Sequence, residues 1–107
     1  MSIQNNQLLL DTNGYLKSTK DWNLTVAKII AKKEHILMTP DHWKIIYFVR
    51  NFYLKYQKTP SMRMLSVAIE KKLKKKNISI YLFNLFPQGP AKQASKIAGI
   101  PQPSICL

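Results

Sequence analysis

Few side chains of this 107-residue chain can make or break a covalent bond. The only thiol is Cys106, the residue before the last. The two imidazoles, His35 and His42, stand seven positions apart and form no His-Glu-x-x-His pattern. One cysteine cannot close an intramolecular disulfide or build a four-thiolate zinc site. With five carboxylates in the whole chain, ligands for a catalytic metal are short, and the sequence predicts neither metal nor cofactor. The chemistry left is that of a single sulfur nucleophile, whose exchange rate follows its thiolate fraction and its accessibility. A free cysteine is also often just a small buried hydrophobe. Composition alone leaves both readings open.

The segment carrying the thiol favours exposure. It runs Ile100-Pro101-Gln102-Pro103-Ser104-Ile105-Cys106-Leu107. Alternating prolines exclude a helix and favour an extended polyproline path, so the seven residues from Ile100 to Cys106 reach roughly 20 Å at ~3.1 Å per residue. Terminal segments are poorly ordered unless tied down, which predicts an arm that presents its thiol to another protein. The Leu107 carboxylate next to Cys106 disfavours the thiolate, so a cationic setting is required. Lys92 and Lys96, or a partner, are the candidates to supply it.

Charge is the strongest compositional signal. Seventeen basic against five acidic residues give +12. Fifteen of the seventeen are lysine; the arginines are Arg50 and Arg63. Lysine, isoleucine and asparagine, all with A/T-rich codons, make up 34 residues, so genome composition accounts for much of the excess. Base-edge reading favours the bidentate guanidinium, whereas lysines grip phosphate without specifying sequence. A basic nucleic-acid-binding module with an incidental cysteine is therefore the alternative function, and an interaction protein without transfer activity is a third. The run Lys71-Lys72-Leu73-Lys74-Lys75-Lys76 reads as a solvated helix end. Repulsion between its i,i+4 pairs there nearly cancels the favourable macrodipole.

The elements that must position the thiol are mostly helical. Asn13-Gly14 between short apolar runs predicts a β-hairpin over about 7–17. Trp22, Val26, Ile29 and Ile30 predict a helix near 23–34. Thr39-Pro40-Asp41 caps a helix from Trp43 to Tyr56 that is apolar nearly all round, and so is expected at the core, buried on several sides. Its aromatics read as packing rather than as a base-stacking platform. Met62 to Ile69 predicts a third helix, Ile78 to Phe86 a short apolar element, and Ala91 to Ala98 a brief helix stopped by Gly99. The longest apolar run, Ile45 to Val49, is far short of the roughly 20 residues of a membrane span. The start carries no secretory pattern, and a cytoplasmic protein is expected.

These blocks resemble the DsrC/TusE family over essentially the whole chain. Residues 85–107, Leu-Phe-Pro-Gln-Gly-Pro-Ala-Lys-Gln-Ala-Ser-Lys-Ile-Ala-Gly-Ile-Pro-Gln-Pro-Ser-Ile-Cys-Leu, are similar to its C-terminal signature. Asp11 to Leu16, Asp41-His42-Trp43 through Phe52-Tyr53, and Pro60 to Leu65 agree with it. The resemblance implies a single domain over 1–107. That domain is a small orthogonal helical bundle (about 21–99) with an N-terminal β-hairpin and a mobile C-terminal arm (100–107). It also implies that Cys106 carries sulfur. Family members that serve dissimilatory sulfite reductase have a second cysteine eleven positions earlier, where this chain has Ser95. The resemblance is therefore closest to the TusE branch. Its members take persulfide sulfur from a TusBCD-like complex and pass it to an MnmA-like thiouridylase for 2-thiolation of the tRNA wobble uridine.

Overall fold

The computed structural model describes residues 10–103. A 3₁₀ turn, Thr19–Asp21, precedes five helices: α1 Leu24–Lys33, α2 Pro40–Tyr56, α3 Met62–Leu73, α4 Ile78–Leu85 and α5 Pro90–Ile97. The cap expected at Thr39 is in place, and the structure adds caps at Asn23 and Ser61. Asn23 accepts from the Val26 amide at 2.9 Å, and Ser61 accepts from the Met64 amide at 3.2 Å. At α2, Thr39 accepts from the His42 amide while His42 Nδ1 accepts from the Thr39 amide, a reciprocal capping box with histidine in the place usually held by Glu or Gln. The other face of that imidazole is equally committed: Nε2 donates to the Leu85 carbonyl at 2.7 Å, and the ring meets Phe86 edge-on at 5.1 Å. His42 thus fastens the start of α2 to the end of α4.

The centre of the molecule is α5 rather than α2. It packs against α1, α2, α3 and α4, and six of its eight residues are buried. Ala91, Ala94 and Ser95 on α5, with Ala98 just beyond it, are small enough to let four helices approach one short axis. The expectation of α2 buried on several sides is corrected. Only His42, Ile45, Ile46 and Val49 are buried, whereas Tyr47, Leu54 and Tyr56 stand 44%, 50% and 56% exposed. Seventeen residues outrun the eight-residue helix they pack on, so among the described residues little covers the last turns of α2 beyond the side of Tyr53.

The predicted β-hairpin is also corrected. Among the described residues there is no strand, only a single antiparallel bridge between Leu10 and Leu16; residues 7–9 of the expected hairpin lie outside the described part. Asn13 keeps negative φ, unlike a primed two-residue turn, and only Gly14 is left-handed, at φ 88°. The loop is held by Asp11. Its carboxylate accepts from the Asn13 and Tyr15 amides, its carbonyl accepts from the Gly14 amide, and its amide donates to the Tyr15 carbonyl. The lysine run differs as well: α3 stops at Leu73 with Lys74 left-handed at φ 53°, so the expected i,i+4 lysine pairs do not share a helix.

The end of α5 is a Schellman turn. Gly99 N–H donates to the Lys96 carbonyl and Ile100 N–H to the Ser95 carbonyl, both at 3.1 Å, with Gly99 at φ 68°. Ile100, the apolar residue that follows such turns, is fully buried in the core. A Cβ at Gly99 would run into the Trp22 indole, 2.9 Å from its Cγ. Gly99→Ala is therefore expected to destabilise the fold by roughly 2–4 kcal/mol, from left-handed strain and overpacking together. Urea unfolding of the variant measures it.

Candidate functional site

Cys106 lies outside the described residues, so the site that can be built is the root from which its segment leaves the body. Four contacts fix that root. Trp22 Nε1 donates to the Ile97 carbonyl at 2.7 Å, and Arg50 Nη1 to the Ala98 carbonyl at 2.9 Å. Arg50 also binds the Thr19 hydroxyl and carbonyl at 3.1 and 3.0 Å, and its guanidinium lies 4.3 Å over the Trp22 ring. Burial holds this guanidinium below its ordinary pKa range, yet an arginine keeps its charge there. Farther out, the Thr59 hydroxyl donates to the Pro101 carbonyl at 2.8 Å, and Asn13 Nδ2 to Gln102 Oε1 at 3.1 Å.

The sequence-based picture of an arm projecting from Ile100 changes accordingly. Ile100 belongs to the core, Thr59 and Asn13 hold Pro101 and Gln102 against the body, and residues 104–107 lie outside the described part. Four of the holding residues, Trp22, Arg50, Thr59 and Gly99, come from four separate stretches of chain. Periodicity marked Trp22 only as part of the α1 stripe; in the structure it sits before that helix. Gly99 alone carried a local signal, as a helix stop.

The two lysines proposed to activate the thiol fare differently. Lys92 is exposed on α5. The Lys96 ammonium is already engaged, 3.1 Å from Glu34 Oε2 and 5.5 Å from the Tyr15 ring centre. Glu34 also accepts from Gln93 Nε2 at 3.1 Å, and Gln93 in turn accepts from the Gln88 amide at 3.0 Å. This chain of polar contacts ties the end of α1 to α5 and gives Lys96 a structural task. Ser95 is fully buried, and its hydroxyl has no hydrogen-bond partner among the described residues. Among the described residues no three of His, Cys, Asp and Glu come together as a metal site, and no helix is long and apolar enough to cross a membrane.

Two predictions follow from the polar cluster. Lys96→Met is expected to cost about 1–2 kcal/mol in urea unfolding, as a partly buried charged hydrogen bond is lost. Alkylation of Cys106 by iodoacetamide should keep its wild-type rate in that variant. The Tyr15 phenol, buried and facing Glu34 and Asp11, is pushed up from 10.0 to about 12. The folded state therefore keeps a proton that the unfolded chain releases, and this contribution is whole below pH 10 and lost as pH rises to about 12. The urea midpoint of wild type should fall relative to that of Tyr15→Phe as pH rises across that interval.

Similar sequences and the same fold occur in proteins of known kind. The family model described as "DsrC like protein" matches residues 2–107. The sulfurtransferase TusE of Buchnera aphidicola subsp. Schizaphis graminum is 65% identical over 98 residues, covering 91% of this chain and 86% of that protein. TusE of Escherichia coli strain K12 is 45% identical over 106 residues, covering 98% and 97%. Among solved structures, the oxidized gamma-subunit of the dissimilatory sulfite reductase (DsrC) from Archaeoglobus fulgidus superposes with a TM-score of 0.84 at 37% identity, over 100% of this chain and 98% of that one. Allochromatium vinosum DsrC gives 0.83 at 45% identity, covering 92% and 88%. With its five-helix body and the anchored turn after α5, the chain belongs to the DsrC-like family, and its sulfurtransferase relatives support a role in carrying sulfur.

Proposed function

We propose that this protein is a persulfide carrier in which Cys106 is the sulfur-bearing nucleophile. The observation that carries the reading is the position of the only thiol, four residues beyond a tail root fixed at Gln102. In the first step the Cys106 thiolate attacks the outer sulfur of a donor persulfide. The donor's S–S bond breaks, the donor cysteine leaves as a thiolate, and a Cys106 persulfide forms. In the second step an acceptor cysteine attacks the terminal sulfur of that persulfide, and the Cys106 thiolate is released. Each step exchanges one S–S bond for another, with no external oxidant or reductant. A single thiol suits this one-sulfur relay. With Ser95 in place of a second cysteine, the chain cannot close an internal disulfide over its own cargo.

The identities of donor and acceptor follow from likeness to the TusE proteins: a TusBCD-like complex on one side, and on the other an MnmA-like thiouridylase acting on the tRNA wobble uridine in the cytoplasm. Because Lys96 is engaged by Glu34, the cation that favours the Cys106 thiolate comes from these partners or from Lys92. Cys106→Ser tests the role. It should unfold with wild-type stability to within about 0.5 kcal/mol, as for a surface change, while wobble 2-thiolation is lost in a strain that carries only the variant. Protein isolated from its own cells should hold one extra sulfur atom on Cys106 by mass spectrometry. Normal thiolation in the variant strain would end the carrier reading.

A further inference from the structure

We infer that Thr59 is a positioning residue for the carrier thiol. Its hydroxyl latches the root of the C-terminal segment and confines the space that Cys106 can sample. The inference rests on the carrier reading for its purpose, but its geometry stands on separate observations. Thr59 is buried to 9% exposure in the connection between α2 and α3, yet its hydroxyl is turned onto the backbone of an exposed residue, donating to the Pro101 carbonyl at 2.8 Å. Proline has no N–H of its own, so Pro101 can be held through its backbone only by its carbonyl. One residue on, Asn13 holds the Gln102 side chain from the opposite end of the sequence, at the tip of the Asp11–Tyr15 loop. One residue back, Ile100 is fixed by full burial. Three consecutive residues of the tail are thus held by three different elements.

The consequence is one of reach. A tail free from Ile100 onward would carry its thiol roughly 20 Å, on the polyproline rise. On the same rise, with the root fixed through Gln102, the four steps from Gln102 to Cys106 span about 12 Å. The volume open to the thiol shrinks roughly fourfold, and the effective concentration of Cys106 at a partner docked beside the root rises in proportion. Substitution of Thr59 by valine keeps the shape and removes the donor. The bared Pro101 carbonyl is exposed and can be solvated, so the body should survive.

Because Cys106 is the only thiol, a nitroxide can be attached there alone in the full chain. Paramagnetic broadening of backbone amides then maps where the segment goes, with no partner required. In wild type the broadening should concentrate on Asn13 to Tyr15 and Lys58 to Met62. In Thr59→Val it should weaken there and spread, and Thr59→Ser should restore the wild-type footprint. Asn13→Ala, an exposed change that cannot threaten folding, should spread it partially and serves if the valine variant does not fold. In parallel, transfer from polysulfide-loaded protein to a thiouridylase–tRNA complex should slow about two- to fourfold in Thr59→Val, in line with the lost confinement. Alkylation of Cys106 by iodoacetamide, which needs no docking, should be unchanged. A footprint unaltered in both Thr59→Val and Asn13→Ala overturns the inference. So does alkylation slowed by the same factor as transfer, which would make Thr59 a modulator of thiol chemistry rather than of position. If wild-type protein transfers no sulfur while the footprints behave as described, the carrier reading fails and the latch stands.

Discussion

The structure turns on ending a helix in the interior. The last carbonyls of any α-helix lack intrahelical partners, and at a surface water satisfies them. Helix α5 ends inside the fold, where each unpaired carbonyl would cost about 1–3 kcal/mol. Every carbonyl from Ser95 to Ala98 has a partner: the amides of Ile100 and Gly99 for Ser95 and Lys96, the Trp22 indole for Ile97, and the Arg50 guanidinium for Ala98. The donors to Ile97 and Ala98 come from distant residues, so the segment before α1 and the middle of α2 are drawn onto one spot. Arg50 over Trp22 makes the two long-range donors depend on each other.

That constraint also sets the course of the tail. A Schellman turn reverses the chain about a left-handed residue and places the next side chain against the helix it has left. Here that side chain is Ile100, which enters the core and leaves Pro101 at the surface beside Thr59. The direction in which the chain departs from the body is therefore a by-product of satisfying α5. Stability of the core and presentation of the tail share the same residues up to Ile100, and separate after it.

Local chemistry made much of this visible in the sequence. Thr39-Pro40 and Gly99 marked element ends because their signals act within four residues, and the structure puts them to those uses. The penultimate cysteine was equally plain, being the only one. What stayed hidden is non-local. Gln93 and Ser95 make α5 look like a surface helix, yet both are buried, Gln93 because Glu34 and Gln88 meet its amide and Ser95 because its small side chain fits. The aromatic wealth of α2 suggested a central helix, but burial depends on neighbours long enough to cover it, and α5 is not. Asn13-Gly14 marked a turn correctly, whereas its type was decided by the Asp11 carboxylate two residues earlier. The pairs Thr59–Pro101 and Asn13–Gln102 join residues 42 and 89 positions apart, and no periodicity announces such contacts.

Under the proposed relay the reacting atom is the Cys106 sulfur rather than a group lining a pocket, and several polar side chains of the body are occupied with one another. Glu34 is shared between Lys96 and Gln93, His42 spends both ring nitrogens on the backbone and Thr39, and Arg50 uses its fork on Thr19 and Ala98. Under the proposed relay, the environment that favours a thiolate is then completed by a partner that closes around Cys106 or by the exposed Lys92. This arrangement has a chemical advantage. A persulfide is reactive toward any accessible thiol, and a carrier that activated its own cysteine would lose sulfur to small thiols between donor and acceptor. Under the proposed relay, holding the root while a partner contributes to activation would separate delivery from reactivity: the body would limit where the sulfur can go, and the protein it meets would set when it leaves.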